Sequence, residues 1–176
     1  MRHPALRVLQ SLCSFAAAAL LAAARPAPQP PAPVLWLSAL GEVELADGSW
    51  QGVDLLTRSD RRIDRFQVTL RSDAPVRVRL EAVTAQGTEQ LWPAHPGEAL
   101  VEAGRAVALP GPRSFFELRG EAQLRVVVGS QGQAPLAPQG GAHAVRYPLS
   151  DGASSQVVER SFDAQGGALA IALHGG

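Results

Sequence analysis

Apolar and polar residues alternate along two neighbouring stretches in the middle of this 176-residue chain. The apolar positions are Phe66, Val68, Leu70, Val76, Val78 and Leu80. Successive side chains of a β-strand point to opposite faces of a sheet, so this alternation predicts two half-buried strands. Asp73-Ala74-Pro75 lies between them and is a turn sequence. We therefore expect two adjacent antiparallel strands whose apolar residues face inward together.

The rest of the chain shows the same preference for strands. Asp47-Gly48 indicates a hairpin turn, and Leu124 to Val128 is a further strand candidate. Near the C-terminus, Val157 to Phe162 and Leu169 to Leu173 suggest a terminal hairpin. Many short strands, frequent glycine and proline, and almost no helical periodicity predict an all-β fold, specifically an antiparallel β-sandwich.

The N-terminal segment has the three parts of a secretory signal peptide. Arg2 and Arg7 form a basic start, residues 8–24 are apolar or small, and Ala22-Ala23-Ala24 provides a small-residue cleavage site. We expect cleavage before Arg25 and a periplasmic or secreted protein. The alternative is an uncleaved segment that anchors the protein in the inner membrane, which is the one membrane contact that the sequence suggests.

Composition divides the chain into five segments. Residues 1–24 are the predicted signal peptide, and residues 25–33 contain five prolines and form a predicted spacer. Residues 34–128 hold most of the strand patterns and are the predicted β-sandwich domain. Residues 129–141, rich in Gly, Pro and Gln, are a predicted linker, and residues 142–176 a C-terminal hairpin segment.

Cysteine content and charge exclude several classes of function. The only cysteine, Cys13, lies within the predicted signal peptide, so the mature chain would contain neither disulfides nor thiolate metal sites. Cleavage would leave 14 arginines against 16 acidic residues, a net charge of about −2 that argues against nucleic-acid binding. All basic residues are arginine, which a GC-rich bacterial genome explains, so arginine content alone does not indicate anion binding.

Several short motifs resemble the bacterial family called domain of unknown function 4384. They are Leu70-Arg-Ser-Asp73, Val76-Arg-Val-Arg-Leu80, Gly87, Leu91-Trp-Pro93, Ala103-Gly104 and Val107-Ala-Leu-Pro110. The resemblance covers about Asp60 to Val128. It implies a small β-rich domain of the kind found in extracytoplasmic or signalling proteins, a family without established catalytic residues.

No catalytic or metal-binding motif is recognisable in the sequence. It lacks a G-x-S-x-G elbow, an H-E-x-x-H pair and a glycine-rich phosphate loop, and His95, His143 and His174 occur singly. Asp60 and Asp64 are interleaved with four arginines, which favours local ion pairs on a solvated turn over a cation site. We expect no catalysis, no cofactor and no bound metal.

Two residues are candidates for ligand contact. Trp50 lies beside the predicted hairpin tip, where an exposed ring would stack on a sugar, and His95 lies in the loop 94–97. The sequence thus predicts an extracytoplasmic binding or accessory module, with an envelope protein as partner and a link to envelope signalling. The alternatives are an envelope enzyme with a dispersed site and a carbohydrate-binding module.

Overall fold

A computed structural model describes residues 31–129 and 134–176, which contain thirteen β-strands and no helix. The strands are β1 (Val34–Glu44), β2 (Trp50–Asp54), β3 (Arg62–Ile63), β4 (Arg65–Ser72), β5 (Val76–Thr84), β6 (Gly87–Trp92), β7 (Ala99–Val101), β8 (Val107–Leu109), β9 (Phe116–Glu117), β10 (Glu121–Val128), β11 (Pro138–Pro148), β12 (Ser154–Asp163) and β13 (Gly167–Gly175). None of the described residues forms a helix of the length and apolar character needed to cross a bilayer. The predicted signal peptide and most of the predicted spacer lie outside the described residues.

The strands form two sheets. Sheet A has the order β11-β12-β1-β4-β8, with β2 also paired to β1 and β9 also paired to β4. Sheet B has the order β3-β13-β10-β5-β6, with β7 also paired to β5. The strand pairs are antiparallel except for β3 and β13, which run parallel. The predicted all-β fold is confirmed.

One face of each sheet contributes to a single hydrophobic core. Sheet A supplies Leu35 and Leu37 from β1, and sheet B supplies Leu124 and Val126 from β10; all four side chains are fully buried. The alternation of side chains along each strand is what sends these residues to one side. Burial of apolar surface between the two sheets is therefore the main stabilising contribution.

The prediction for the two central strands is correct about which residues face the core but wrong about the two strands pairing with each other. The apolar positions of β4 and β5 face the core as expected. However, β4 pairs with β1, β8 and β9 in sheet A, whereas β5 pairs with β6, β7 and β10 in sheet B. Residues 73–75 therefore connect the two sheets. The apolar side of a strand must face a core. Two such strands can share that core from opposite sheets as well as from neighbouring positions in one sheet.

The predicted C-terminal hairpin does not form. β12 pairs with β1, where Leu35 lies opposite Phe162, and β13 pairs with β10, where Leu124 lies opposite Ile171. Residues 164–166 cross from one sheet to the other. Each strand joins a larger sheet and buries its apolar residues in the shared core, which removes more surface from water than a hairpin on its own would.

The predicted boundaries of the C-terminal half are also wrong. Leu136, placed in the predicted linker, is buried in the core and its N–H donates to the carbonyl of Ala168 at 3.0 Å. β11 begins at Pro138, inside the same predicted linker. Each sheet contains strands from both segments, so residues 34–128 do not form a domain that excludes residues 142–176.

The predicted N-terminal hairpin is confirmed. β1 and β2 pair antiparallel with Glu44 opposite Trp50, and five residues, 45–49, connect them. Gly48 has a φ of 81°, a left-handed conformation that glycine adopts without steric cost. The loop is longer than the two-residue turn that Asp47-Gly48 indicated.

Candidate functional site

β1 buries side chains on both of its sides. Leu35, Leu37 and Ala39 face the core, whereas Ser38, Leu40 and Glu42 alternate with them and are at most 2% exposed. We call the side of sheet A opposite the shared core the far face. A second hydrophobic cluster covers part of it, formed by Leu40, Leu149 and Val157 with Trp50, Phe115 and Tyr147 packed against them. Part of the far face is therefore buried and not exposed to solvent.

A buried ion pair occupies one end of the far face. The Nε atom of Arg65 lies 2.8 Å from Oε2 of Glu42, whose side chain is fully buried. The N–H and the hydroxyl of Ser150 also donate to the Glu42 carboxylate, at 3.1 and 2.8 Å. With this many hydrogen bonds, the carboxylate is compensated for its loss of water.

The guanidinium of Arg65 lies between two aromatic rings. Its central carbon is 3.3 Å from the centre of the Trp50 ring and 4.9 Å from that of Phe115. One terminal nitrogen of Arg65 is buried and has no hydrogen-bond partner within the described residues. Attraction between the cation and the two ring faces replaces that bond. This end of the far face is closed, and we assign it a structural role.

Trp50 is therefore not the exposed aromatic platform that the sequence suggested. One face of its ring lies against Arg65, and its side chain is half-buried in the second cluster. Its backbone N–H donates to Oδ2 of Asp151 at 2.9 Å. This hydrogen bond joins the start of β2 to the turn between β11 and β12. Such a long-range contact cannot be predicted from the local sequence.

His95 lies in an exposed loop between β6 and β7 of sheet B. The side-chain amide of Gln90 donates to the carbonyl oxygens of His95 and Pro93, at 2.6 and 2.7 Å, and accepts from the N–H of Gly97 at 3.2 Å. Gln90 thus holds the loop 93–97 in one conformation. Because Trp50 begins β2 in sheet A, the structure does not bring the two predicted contact residues into one site.

A row of charged and aromatic side chains crosses the other end of the far face. Oε2 of Glu159 lies 3.0 Å from a terminal nitrogen of Arg71 and 2.8 Å from Nε2 of His143. The central carbon of the Arg71 guanidinium is 4.4 Å from the centre of the Trp36 ring. The Glu159 side chain is 8% exposed, Arg71 37% and His143 55%. We call these four residues the polar row; the side chains of Arg71 and His143 in it are partly open to solvent.

One carboxylate, that of Glu159, contacts both the arginine and the histidine of the polar row. The ring of His143 has Glu159 as its sole partner in the described part of the chain, and the hydroxyl of Ser161 donates instead to the carbonyl of Gly140. No group of three or more metal-ligating side chains occurs in residues 31–129 and 134–176.

The polar row adjoins an unpaired sheet edge. β11 is the outermost strand of sheet A and pairs only with β12, among the described strands. Residues 142–148 keep a regular register with residues 154–160, and most of their side chains are exposed. In such a strand, alternate residues direct their N–H and C=O groups away from the neighbour. We call residues 142–148 the β11 edge.

Side chains of the β11 edge are continuous with the far face. His143, Val145 and Tyr147 alternate along it and lie opposite Glu159, Val157 and Ser155. The hydroxyl of Tyr147 makes a hydrogen bond of 2.6 Å with that of Ser38 in β1. The long side chain of Tyr147 thus connects the edge strand β11 to the central strand β1 across β12.

Sequence reasoning missed this site because His143 was interpreted as a solitary loop residue. The glycine-rich approach to β11 resembles a linker, and the partners of His143 and Tyr147 lie in other strands. The period-two pattern His143, Val145, Tyr147 was present in the sequence as a signal of a strand. His174, the third solitary histidine, is also paired, with its Nδ1 against Glu121.

No family model, curated protein or solved structure matches this chain. The resemblance to domain of unknown function 4384 over Asp60 to Val128 stays a prediction.

Proposed function

We propose that this chain is an exported recognition module without catalytic activity, in which the two sheets form a β-sandwich behind a signal peptide and a proline-rich spacer. Its partner would be an envelope protein that adds an extended segment to the β11 edge. The observation that carries this proposal is the outer side of β11, to which no other strand of residues 31–129 and 134–176 pairs. Strand addition of this kind is a recurring mode of peptide recognition.

The β11 edge is better suited to strand addition than the other sheet edges. In β11, residues 142–148 keep a regular register with β12, whereas β6 at the edge of sheet B has 6 residues in all and β8, at the edge of sheet A opposite β11, has 3. The register of β6 shifts between Leu80 and Glu81 of its neighbour. A long regular edge offers several main-chain hydrogen bonds to a partner, and these supply affinity.

Side chains beside the edge would provide specificity. On the far face, an added strand would place its residues next to His143, Val145 and Tyr147; on the other side it would meet Ala144 and Arg146. The exposed Arg146 favours an acidic residue in the partner, and the half-buried Val145 favours an apolar one. The partner segment should therefore alternate apolar and acidic side chains.

The same edge is limited at both ends. Pro138 and Pro148 lack an N–H, and the register is interrupted between Pro138 and Ala142. Gly140 and Gly141 have φ values of 81° and 80° in this interruption. These features oppose indefinite strand addition between copies and leave a docking length of about seven residues.

Paired proline substitutions test the proposal. Neighbouring residues of a strand point their N–H groups to opposite sides. Of the two variants Ala144→Pro and Val145→Pro, one therefore removes an N–H that points outward, and the other removes an N–H that points to β12. Thermal unfolding identifies the outward variant as the one that keeps its Tm. We expect partners crosslinked to the wild-type chain in envelope extracts, and identified by mass spectrometry, to be lost from this variant.

Hydrogen exchange with the identified partner is the second readout. Amides within residues 142–147 should exchange more slowly in the complex, while those of β6 should be unchanged. Protection elsewhere, or a partner retained by the outward proline variant, would contradict docking at β11. A glycan bound through Trp36, or a hydrolase activity that disappears in His143→Ala, would instead favour the carbohydrate-binding or enzyme alternative.

A further inference from the structure

Three arginines line an open pocket at one end of sheet A. The pocket has a volume of about 530 Å³ and lies between β1, β2 and the segment that leads into β3. Its wall includes Arg58, Arg61 and Arg62, together with the amides Gln51 and Gln156. Small-molecule sites commonly have volumes of roughly 300–1,000 Å³, so this pocket is large enough for a small ligand.

None of these three arginines has an acidic partner in the part of the chain that the structure describes. The predicted local ion pairs with Asp60 and Asp64 are therefore wrong. Oδ2 of Asp64 instead accepts the N–H of Glu44 at 2.8 Å. The Asp64 carboxylate keeps its charge, but it makes no ion pair with any of the three guanidiniums.

The one acidic residue in the pocket wall is also engaged. Oδ1 of Asp54 accepts the N–H of Leu56, and Oδ2 accepts the N–H of Val158, both at 3.0 Å. These bonds tie the end of β2 to β12 and orient the carboxylate toward the backbone. The wall therefore presents three cations and one carboxylate whose oxygens both have hydrogen bonds.

The segment that carries the arginines is held in place before any ligand binds. Leu55 and Ile63 at its two ends are buried in the core. The N–H groups of Thr57 and Arg58 donate to the carbonyl of Asp54, at 3.3 and 2.8 Å. A fixed backbone lowers the ordering cost of binding, because only the arginine side chains remain to be immobilised.

We infer that this pocket binds a small multivalent oxyanion, a molecule that carries several phosphate or carboxylate groups. A guanidinium presents two parallel N–H groups that match the oxygens of either group, and three such cations suit an anion of charge −2 or more. Gln51 and Gln156 add neutral hydrogen-bonding groups beside them. The pocket adjoins the β11 edge, because Gln156 lies opposite Arg146 in the register of β12 and β11. Anion binding here does not depend on the proposed partner.

Calorimetric titration of the mature chain with inorganic pyrophosphate and with citrate tests the inference. We expect saturable one-to-one binding to at least one of them, weakening as salt is raised. The double variant Arg58→Gln/Arg61→Gln should bind at least about tenfold more weakly, because each charge-assisted hydrogen bond contributes more than a neutral one. Tighter binding of pyrophosphate identifies a phosphate ligand, and tighter binding of citrate identifies a carboxylate ligand.

A matched double variant controls for net charge. Arg77→Gln/Arg105→Gln removes the same two charges from exposed positions outside the pocket and should change the affinity by less than about twofold. An equal loss in both double variants would show nonspecific attraction and overturn the inference. So would the absence of binding to both anions at millimolar concentration, or unchanged affinity in the pocket variant. Wild-type Tm in each variant excludes misfolding as the cause.

Discussion

Arg65 shows how strongly a single residue here depends on distant parts of the chain. Its guanidinium contacts Glu42 of β1, Trp50 of β2 and Phe115 of the loop before β9. The amide of Gln67 holds that loop by donating to the carbonyls of Gly111 and Ser114, at 2.9 Å each. An arginine in such a setting stabilises mainly by compensating a buried charge.

Replacing Arg65 should therefore be costly. We expect Arg65→Met to lower the free energy of unfolding by about 3–5 kcal/mol, because it leaves the Glu42 carboxylate buried without its cation. Urea denaturation measures this change. Adding Glu42→Gln should recover part of the loss, since the amide oxygen still accepts from Ser150 and carries no charge.

The control for this prediction is Arg77→Met. Arg77 is exposed in β5, so its replacement should change the free energy of unfolding by less than about 0.5 kcal/mol. If Arg65→Met were as mild as this control, the ion pair would not compensate a buried charge, and the closed end of the far face would need another explanation.

At the scale of elements, one carboxylate connects two hairpins. Oδ2 of Asp151, in the turn between β11 and β12, accepts the N–H of Trp50 at 2.9 Å, and Oδ1 accepts the N–H of Ala153 at 2.9 Å. These two backbone hydrogen bonds lower the pKa of Asp151 below 3.8. Asp47, at the tip of the other hairpin, has its pKa lowered by hydrogen bonds from the hydroxyl and the N–H of Ser49.

This connection should weaken in acid. A pKa lower in the folded than in the unfolded state means that the contribution to stability is fully present above about pH 3.8 and is lost as the pH falls through the folded value. We expect the Tm difference between wild type and Asp151→Asn to shrink below pH 3.8. Carboxyl-carbon NMR should show Asp151 titrating below 3.8.

An exposed residue without a titratable group serves as the comparison. Thr88→Ser in β6 should show no such change in its Tm difference from wild type over the same pH range. Titration of Asp151 at or above 3.8, or an Asp151→Asn difference that grows in acid, would mean that the carboxylate does not hold the two hairpins together.

At the scale of the whole molecule, the two C-terminal strands complete both sheets. β12 lies between β11 and β1 in sheet A, and β13 lies between β3 and β10 in sheet B. They bury Phe162, Ile171 and Leu173 in the shared core. Neither sheet is complete until β12 and β13 have paired with strands from the earlier part of the chain.

We therefore expect a fragment of residues 32–128 to be unfolded in solution. Without β12 and β13, the fully buried Leu35 and Leu124 would lose neighbours that exclude water. The matched control is residues 32–176, which form one compact unit. Proton–nitrogen NMR should show dispersed amide signals for the control and collapsed ones for the fragment. A fragment that unfolds cooperatively on heating would contradict the shared core.

The faces of the strands could be predicted from the sequence because they depend on local order alone. Phe66, Val68 and Leu70 face the core wherever β4 is placed, since successive side chains always alternate. The all-β fold and the hairpin of β1 and β2 follow from the same short-range rules. The signal peptide and the spacer, deduced in the same way, fall mainly outside the described residues.

Strand pairing and the candidate sites were decided only by the tertiary structure. Leu35 lies opposite Phe162 because both bury apolar surface, and no local pattern distinguishes that partner from other apolar strands. Tertiary contacts placed Trp50 against Arg65, and His143 against Glu159 at an open edge. Charge and hydrogen-bond partners are set by what lies nearby in space, whereas sequence order alone sets which side of a strand a residue occupies.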